Sequence, residues 1–280
     1  MARRQPRAPW KARSVICLLF ASLAVTLSAC GGSGGLILGA TTSVQDTGLL
    51  DALVRSFHDR TGLDVKPIVG GSGQVLELAR KGEVDVVLTH APADEARFMA
   101  DGEGVERRPV MQNLFLVVGP PADPAGVAGA GTLGEAFRRI AAQKQAFISR
   151  GDNSGTHQRE LDVWKDTDVD PHGQAWYQES AVGQGQNLLV ASDKGAYALV
   201  DSSTYATFKK RVDLAVYVTD SQEPNVYSVI RVNPDKHSNV NNEAARAFAD
   251  FVTSTETQRL IGSFGVDEYG QALFEPVTGQ

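Results

Sequence analysis

The chain has 280 residues, two cysteines and a formal net charge of −6 at pH 7. Its first 29 residues hold five basic side chains and no acid, so the rest of the chain carries a formal charge of −11. This acidic balance disfavours nucleic acid and anionic lipid as partners of the folded part. The roughly 250 residues of that part are enough to build two lobes, each with its own core.

The N-terminal segment has the pattern of a bacterial secretory signal. A basic stretch precedes an apolar run over residues 14–27, and small residues follow it. The run is too short to predict a transmembrane span, which needs about 20 apolar residues. Leu27-Ser28-Ala29-Cys30 resembles the lipobox of lipoproteins, in which the cysteine is diacylated and becomes the mature N-terminus. We therefore predict a signal peptide over 1–29 and a lipidated Cys30 with a flexible tether over 30–35. An ordinary signal, in which Cys30 is incidental, is the alternative.

The rest of the chain alternates between strand and helix patterns. Its first part predicts strands over 36–40, 63–69 and 84–88, with helices over 49–57 and 75–79 between them. This βαβαβ order predicts a parallel sheet with right-handed crossover connections.

Further elements are predicted after a stretch rich in glycine, proline and alanine. They are helices over 133–142 and 154–164, strands over 146–149, 197–200, 214–218 and 226–232, and a C-terminal helix over 242–260. Two α/β units with a cleft between them fit this order. The apolar stretches 111–118 and 226–232 are candidates for two strands that cross between the units.

Three predicted strand-to-helix turns are rich in hydroxyl groups or glycine. Hydroxyl side chains cap helices routinely, so capping alone explains any one of these turns. Three hydroxyls in succession exceed the need of one cap, and glycine lets the backbone approach a ligand closely. The candidate residues are Thr41, Thr42 and Ser43 in the first turn, Ser72 in the second, and Arg150, Ser154, Gly155 and Thr156 in the third.

The candidate groups in these turns are hydrogen-bond donors. Ligands of open α/β sheets bind beyond the carboxyl ends of the strands, where such turns lie. Helix N-termini add N–H groups and the positive end of a dipole. Arg150 offers a fork of donors, although it could instead be a structural salt-bridge partner of Asp152. The complementary ligand is an anion that only accepts hydrogen bonds.

The motifs in these turns resemble those of the TupA-type tungstate-binding proteins of ABC importers, and the likeness extends over essentially the whole chain after the signal. The family's Thr-Thr-Thr-Ser motif appears as Ala40-Thr41-Thr42-Ser43, and Ser149-Arg150-Gly151-Asp152-Asn153-Ser154-Gly155-Thr156-His157 resembles its second hallmark. Ala40 departs from the pattern and removes one possible hydroxyl. The resemblance implies an oxyanion site formed by Thr41, Thr42, Ser43, Ser72, Arg150, Ser154, Gly155 and Thr156.

The same resemblance implies an α/β fold of the periplasmic-binding-protein type II class. Each of two lobes would be a mixed, mainly parallel sheet flanked by helices, and two crossover strands would form the hinge. Lobe 1 is predicted over 36–113 and 229–280, and lobe 2 over 114–228. The implied ligand is tungstate, and the implied partners are the permease and ATPase subunits of an ABC importer. We predict a monomer without cofactor or protein-bound metal cation, anchored to the membrane and facing the periplasm or cell exterior.

Phosphate-binding proteins are the nearest alternative, since they share a Gly-Ser-Gly turn and an Arg-x-Asp-x-Ser-Gly-Thr segment. Phosphate keeps a proton near neutral pH and needs an acceptor, whereas tungstate and molybdate are fully ionised dianions that a buried carboxylate would repel. The phosphate family supplies its carboxylate from a Ser-Asp-Ala-Pro segment, which appears here as Thr89-His90-Ala91-Pro92. His90 at the position of the acid favours tungstate over phosphate. Charge and size do not separate tungstate from molybdate, which stays an alternative.

An exported hydrolase is the alternative from another functional class. Ser43 or Ser154, with His90 or His157 and Asp152, could supply a nucleophile, a base and an acid. The sequence has no Gly-x-Ser-x-Gly elbow, no His-Glu-x-x-His motif and no metal-spaced cysteines. We therefore predict that the protein is not an enzyme.

Overall fold

The computed structural model describes residues 1–2 and 35–277. The predicted signal peptide from residue 3 onward, Cys30 and nearly all of the tether lie outside the described residues. Within the described part, no helix is long and apolar enough to cross a membrane.

Strands and helices alternate at the start of the described chain. These elements are β1 (Leu36–Thr41), α1 (Thr42–Asp46), α2 (Leu49–Thr61), β2 (Val65–Gly70), α3 (Ser72–Arg80), β3 (Val86–Thr89) and α4 (Pro92–Ala100). Strand β1 pairs in parallel with β2 on one side and with β3 on the other, which confirms the predicted βαβαβ unit. Gly62 ends α2 with a left-handed φ of 70°, a conformation that glycine adopts without steric cost.

Two long antiparallel strands form the centre of the sheet. They are β4 (Gly104–Gly119) and β8 (Ala215–Val232), and they pair along nearly their whole length. The strand order is β2-β1-β3-β8-β4-β7, in which β7 spans Ala198–Asp201, and the last short strand, β9 (Glu275–Pro276), also pairs with β4. The predicted crossing stretches 111–118 and 226–232 lie within these two strands, which extend well beyond them.

The elements between the long strands build the other side of the sheet. They are α5 (Leu133–Ala142), β5 (Phe147–Ser149), α6 (Gly155–Asp166), β6 (Tyr177–Glu179), α7 (Gln184–Asp193), β7 (Ala198–Asp201) and α8 (Ser202–Phe208), followed by a 3₁₀ turn at Lys209–Arg211. Strand β5 pairs in parallel with β6, and β7 pairs antiparallel with β4. The fold is therefore α/β with a mixed sheet flanked by helices. Helices α4, α7 and α8 were not predicted, because few of their residues form a buried apolar face.

The C-terminal part corrects one prediction. Instead of one helix over 242–260, the chain forms α9 (Asn242–Val252), α10 (Thr255–Ser263), α11 (Val266–Tyr269) and the short strand β9 (Glu275–Pro276). Ser254 has an extended backbone, and its Oγ accepts a hydrogen bond from the Thr257 N–H at 3.4 Å. A serine that caps the next helix competes with continuation of the previous one, which is why the run is interrupted there.

The apolar core lies on both sides of the two long strands. On the side that we call the first half (β1–β3, α1–α4 and α9–α11), Phe57 packs edge-on against Phe248 with ring centroids 5.3 Å apart. On the side that we call the second half (α5–α8 and β5–β7), Phe137 packs on Trp164 at 4.3 Å. The predicted lobe boundaries at 113/114 and 228/229 stay a prediction.

Candidate functional site

The first hydroxyl-rich turn follows β1, and its side chains do not cap the helix after it. Thr41 occupies the N-cap position of α1 with extended backbone, but its side chain makes no capping hydrogen bond. Its Oγ1 lies 3.2 Å from Ser43 Oγ instead, and both side chains are buried. The capping interpretation is therefore wrong for Thr41, and its hydroxyl faces other side chains.

The second turn brings Ser72 next to His90. Ser72 is the first residue of α3, is fully buried, and its Oγ accepts a hydrogen bond from the His90 N–H at 3.3 Å. The N–H of Gly73 donates to the Asn153 carbonyl at 3.3 Å, which joins this turn to the third one across the two halves. A Cβ at Gly73 would lie 2.3 Å from Asn153 Nδ2 and 3.0 Å from the Asn153 carbonyl oxygen, so the close approach favours glycine.

The third turn places the Arg150 side chain next to the first turn. Arg150 is 2% exposed and forms an ion pair with Asp152. Its Nη1 donates to Gln184 Oε1 at 3.2 Å, and its Nη2 donates to Thr42 Oγ1 at 3.4 Å. The arginine is thus held by its own loop while it touches the opposite half of the molecule. The sequence interpretation of Arg150 as a partner of Asp152 and its interpretation as a site residue are compatible.

The remaining residues of the third turn have separate roles. Ser154 caps α6, because its Oγ accepts from the His157 N–H at 3.3 Å. Gly155 packs against His90 so closely that a Cβ would lie 2.2 Å from the His90 carbonyl oxygen. Thr156 is buried, and its Oγ1 has no hydrogen-bond partner. His157 Nδ1 accepts from the Asn153 N–H at 3.0 Å, and its Nε2 is buried without a hydrogen-bond partner.

Two of the predicted site residues carry a donor that is buried without a protein partner. These donors are the Nε of Arg150 and the Oγ1 of Thr156. Burying an unsatisfied polar group costs about 1–3 kcal/mol, and more for a charged one. Both groups belong to the turn for which the sequence predicts a ligand. An anion that accepted from both would remove this cost.

The structure adds a group of side chains that the sequence did not single out as ligand-site residues. His90 Nδ1 lies 2.8 Å from Asn225 Oδ1, and the His90 ring stacks on Tyr227. Tyr227 donates to Ser43 Oγ at 3.0 Å, and Asn225 donates to Asn113 Oδ1 at 2.8 Å. A usable signal was present, since asparagine is depleted in strands, and Asn113 lies within an apolar strand sequence while Asn225 directly precedes one.

The electrostatics of the site are those of neutral donors around one buried cation, Arg150, which is paired with the Asp152 carboxylate. Burial lowers the pKa of His90 to about 4, so the ring is neutral at pH 7. Burial also raises the pKa of Asp46, whose Oδ2 accepts from the Gly185 N–H at 3.2 Å. Among the residues that the structure describes, no cluster of His, Cys, Asp and Glu could hold a metal ion. The positive charge at the site is that of Arg150.

The eight predicted site residues lie in three turns that contact one another where the two halves meet. Thr42 contacts Arg150, Thr41 contacts Ser43, and both Ser72 and Gly155 adjoin His90. The hydroxyl of Ser154 is committed to its helix cap, whereas that of Thr156 is not. What the arrangement can do chemically is hold a small acceptor-only anion between two turns.

Comparison with known proteins supplies the family. A family model described as "PBP superfamily domain" matches residues 28–256. The chain is 42% identical to the tungstate-binding protein TupA of Peptoclostridium acidaminophilum, over 87% of this chain and 86% of that protein. The chain belongs to the TupA-type proteins of the PBP superfamily. Members of this family are binding proteins, so the hydrolase alternative is dropped.

Solved structures agree with this assignment. The tungstate ABC transporter protein from Geobacter sulfurreducens is 42% identical with a TM-score of 0.75, and the match covers 83% of this chain and 100% of that one. The tungstate-binding protein TupA from Desulfovibrio alaskensis G20 is 38% identical with a TM-score of 0.72, covering 86% of this chain and 98% of that one. These likenesses confirm the predicted α/β fold of a periplasmic binding protein.

Proposed function

We propose that this protein binds tungstate outside the cytoplasm and delivers it to the permease and ATPase of an ABC importer. The observation that carries the proposal is the pair of buried donors without partners, Arg150 Nε and Thr156 Oγ1, in a turn whose Arg150 also contacts Thr42 of the first turn. Tungstate offers only acceptor oxygens and two negative charges, which match a site of hydroxyls and one guanidinium. The named relatives that bind tungstate support the same choice.

The proposed ligand set consists of the residues that the sequence singled out. They are Thr41, Thr42, Ser43, Ser72, Arg150, Ser154, Gly155 and Thr156. Because these residues come from both halves, the anion would be held between them and would favour their closed arrangement. No covalent bond is made or broken, and no cofactor takes part.

Molybdate is the second candidate ligand, since every donor in the site would serve it equally. Hydrogen phosphate fits less well because its proton needs an acceptor. The Asp152 carboxylate is already paired with Arg150, and the ring of His90 replaces the acid expected of phosphate binders.

Calorimetry on the purified protein with tungstate, molybdate, sulfate and phosphate tests this proposal. We expect tungstate to bind more tightly than sulfate and phosphate, with one anion per protein molecule. Phosphate binding tighter than tungstate would refute the tungstate assignment. Molybdate binding tighter than tungstate would replace tungstate with the second candidate.

We further propose that Cys30 carries a lipid anchor and that residues 1–29 are a signal peptide. The lipobox-like sequence before Cys30 supports this proposal. Labelling cells with a radioactive fatty acid should mark the wild-type protein and the Cys17→Ser control, but not the Cys30→Ser variant. An unlabelled wild-type protein would contradict the anchor.

A further inference from the structure

A chain of buried polar side chains crosses the centre of the molecule and ends at the proposed site. It runs from Asp201 through Asn113 and Asn225 to His90, and each of the four is at most 4% exposed. Asn113 on β4 and Asn225 on β8 face each other in register. The two strands shift register immediately afterwards, between Asn113 and Phe115.

The direction of every hydrogen bond in this chain follows from its first member. Asp201 Oδ1 accepts from the Thr204 N–H at 2.9 Å, and Oδ2 accepts from the Thr204 hydroxyl at 2.7 Å. The Asp201 carboxylate therefore acts as an acceptor, and Asn113 must present its Nδ2 to it, at 2.9 Å. The Oδ1 of Asn113 then points to Asn225.

The second amide is oriented in the same way. Asn113 Oδ1 can only accept, so Asn225 presents Nδ2 to it at 2.8 Å. The Oδ1 of Asn225 consequently faces His90 Nδ1 at 2.8 Å. Since Asn225 offers an acceptor there, the proton of the neutral His90 ring must reside on Nδ1. The Nε2 of His90 is left as a lone pair.

A branch of the chain orients the Ser43 hydroxyl. Asn225 Nδ2 also donates to the Tyr227 hydroxyl at 3.2 Å, and burial raises the pKa of Tyr227, so this hydroxyl keeps its proton. Its one proton goes to Ser43 Oγ at 3.0 Å. Ser43 Oγ accepts the hydrogen bond from Tyr227, so the Ser43 hydroxyl must donate its own hydrogen bond to another acceptor.

Two acceptors inside the protein compete weakly for that proton. They are Thr41 Oγ1 at 3.2 Å and His90 Nε2 at 3.5 Å, both long for hydrogen bonds of a hydroxyl. An ionised oxygen forms hydrogen bonds roughly twice as strong as neutral ones. An anion in the site would therefore be the preferred acceptor of a hydrogen bond from the Ser43 hydroxyl.

We propose that Asn113 and Asn225, anchored on Asp201, are positioning residues that fix His90 as the Nδ1–H tautomer and aim the Ser43 hydroxyl into the anion site. This inference rests on the proposed function, because it names how one donor of that site is oriented. It also explains why two asparagines lie where β4 and β8 pass from one half to the other: the donor of the first half is oriented by a carboxylate of the second.

The test reads the tautomer of His90 directly. In ¹⁵N-histidine-labelled protein without ligand, two-bond ¹H–¹⁵N spectra should show His90 protonated at Nδ1. The Asp201→Asn variant keeps the shape of the side chain and remains a good helix cap. Because its amide can donate as well as accept, it no longer fixes the direction of the hydrogen bonds between residue 201 and His90. We expect a mixture of His90 tautomers in this variant and a loss of tungstate affinity of about three- to tenfold, the range of one neutral hydrogen bond.

A second variant isolates the branch to Ser43. Tyr227→Phe keeps the ring that stacks on His90 and should weaken tungstate binding by about three- to tenfold. The matched control is Tyr205→Phe, since the hydroxyl of Tyr205 donates to the Leu214 carbonyl, and its affinity should be unchanged.

Several results would overturn the inference. They are an Nε2–H tautomer in the wild-type protein, an unchanged tautomer in Asp201→Asn, and unchanged affinity in Tyr227→Phe. A wild-type protein that shows the Nδ1–H tautomer but binds no tungstate would refute the proposed function. The spectra would still decide the direction of the hydrogen bonds from Asp201 to His90.

Discussion

The first and third turns perform the same local task, a strand end leading into a helix, with opposite use of their polar groups. In the first turn, no hydroxyl is used for the helix cap at Thr41, and Ser43 accepts from Tyr227 of the long strand β8 while its own proton remains for another acceptor. In the third, Ser154 serves the helix cap, and Arg150 and Thr156 keep donors without partners. The comparison teaches that a count of hydroxyls does not identify ligand groups. What identifies them is which hydroxyls remain after the protein's own hydrogen bonds are made.

The two turns also differ in the buried titratable group that lies beside each. The first has His90, whose pKa burial lowers to about 4. Beyond the third, α6 carries Glu160, whose pKa burial raises to about 7 and whose carboxylate accepts from Tyr177 and Trp164. Each group prefers its neutral form, but one is a base and the other an acid. Their effects on stability against pH therefore have opposite sign.

The largest expected effect is on the pH dependence of unfolding. The contribution of His90 is complete above its ordinary pKa of 6.5 and is lost as the pH falls towards 4. The contribution of Glu160 is complete below its ordinary pKa of 4.5 and is lost as the pH rises through 7. Each amounts to about 3 kcal/mol, so the two offset each other between these limits.

Replacing either group should expose the effect of the other. In Glu160→Gln, the free energy of unfolding should rise by about 3 kcal/mol between pH 4 and 6.5. In His90→Gln it should instead fall as the pH rises from 4.5 to 7. Urea unfolding at a series of pH values measures both curves. If the curves of both variants stay parallel to that of the wild type, His90 and Glu160 do not make opposite contributions to the pH dependence of the free energy of unfolding.

Loss of the guanidinium should have the next largest effect. Arg150→Gln should weaken tungstate binding by more than about tenfold, because a hydrogen bond to a charged group contributes about 1.5–3 kcal/mol. Titration calorimetry measures the change. The control is Arg139→Gln, which removes a surface arginine paired with Glu135 and should leave the affinity unaltered. If both variants bind tungstate like the wild type, Arg150 is not part of the site.

A smaller effect should separate two hydroxyls of the same turn. Thr156→Val removes a hydroxyl without a partner, so we expect undiminished stability and an affinity for tungstate lower by about three- to tenfold. Ser154→Ala removes a helix cap, so we expect a loss of stability of about 1 kcal/mol. Thermal unfolding measures the stability of both variants, and titration calorimetry measures their affinity for tungstate. Equal effects of the two substitutions would mean that the cap and the free hydroxyl are not distinct.

The sequence predicted much of the fold and the position of the site, for identifiable reasons. Periodic apolar patterns are local, so the βαβαβ unit and α5 were predicted correctly. The break at Ser254 was missed because a single capping residue decides it. The pairing of Asn113 with Asn225 depends on the register of two strands more than a hundred residues apart, which no local pattern contains.

The same limit applies to the roles of the candidate residues. The sequence located the hydroxyls of all three turns, because such residues cluster at strand ends. It could not show that Thr41 makes no cap, or that Thr156 has no partner, since both depend on neighbours brought from other elements. His90 was noted for what it replaces, whereas its stacking on Tyr227 became visible only in the fold.

The central claim is that one tungstate ion lies between the first and third turns and accepts from both. Anomalous diffraction at a tungsten absorption edge, from crystals grown with tungstate, tests it most directly. We predict one strong peak, with oxyanion oxygens at about 2.7–3.2 Å from Arg150 Nε and at hydrogen-bond distance from Thr156 Oγ1 and Ser43 Oγ. A peak elsewhere on the molecule, or one that contacts only one of the two turns, would contradict the account.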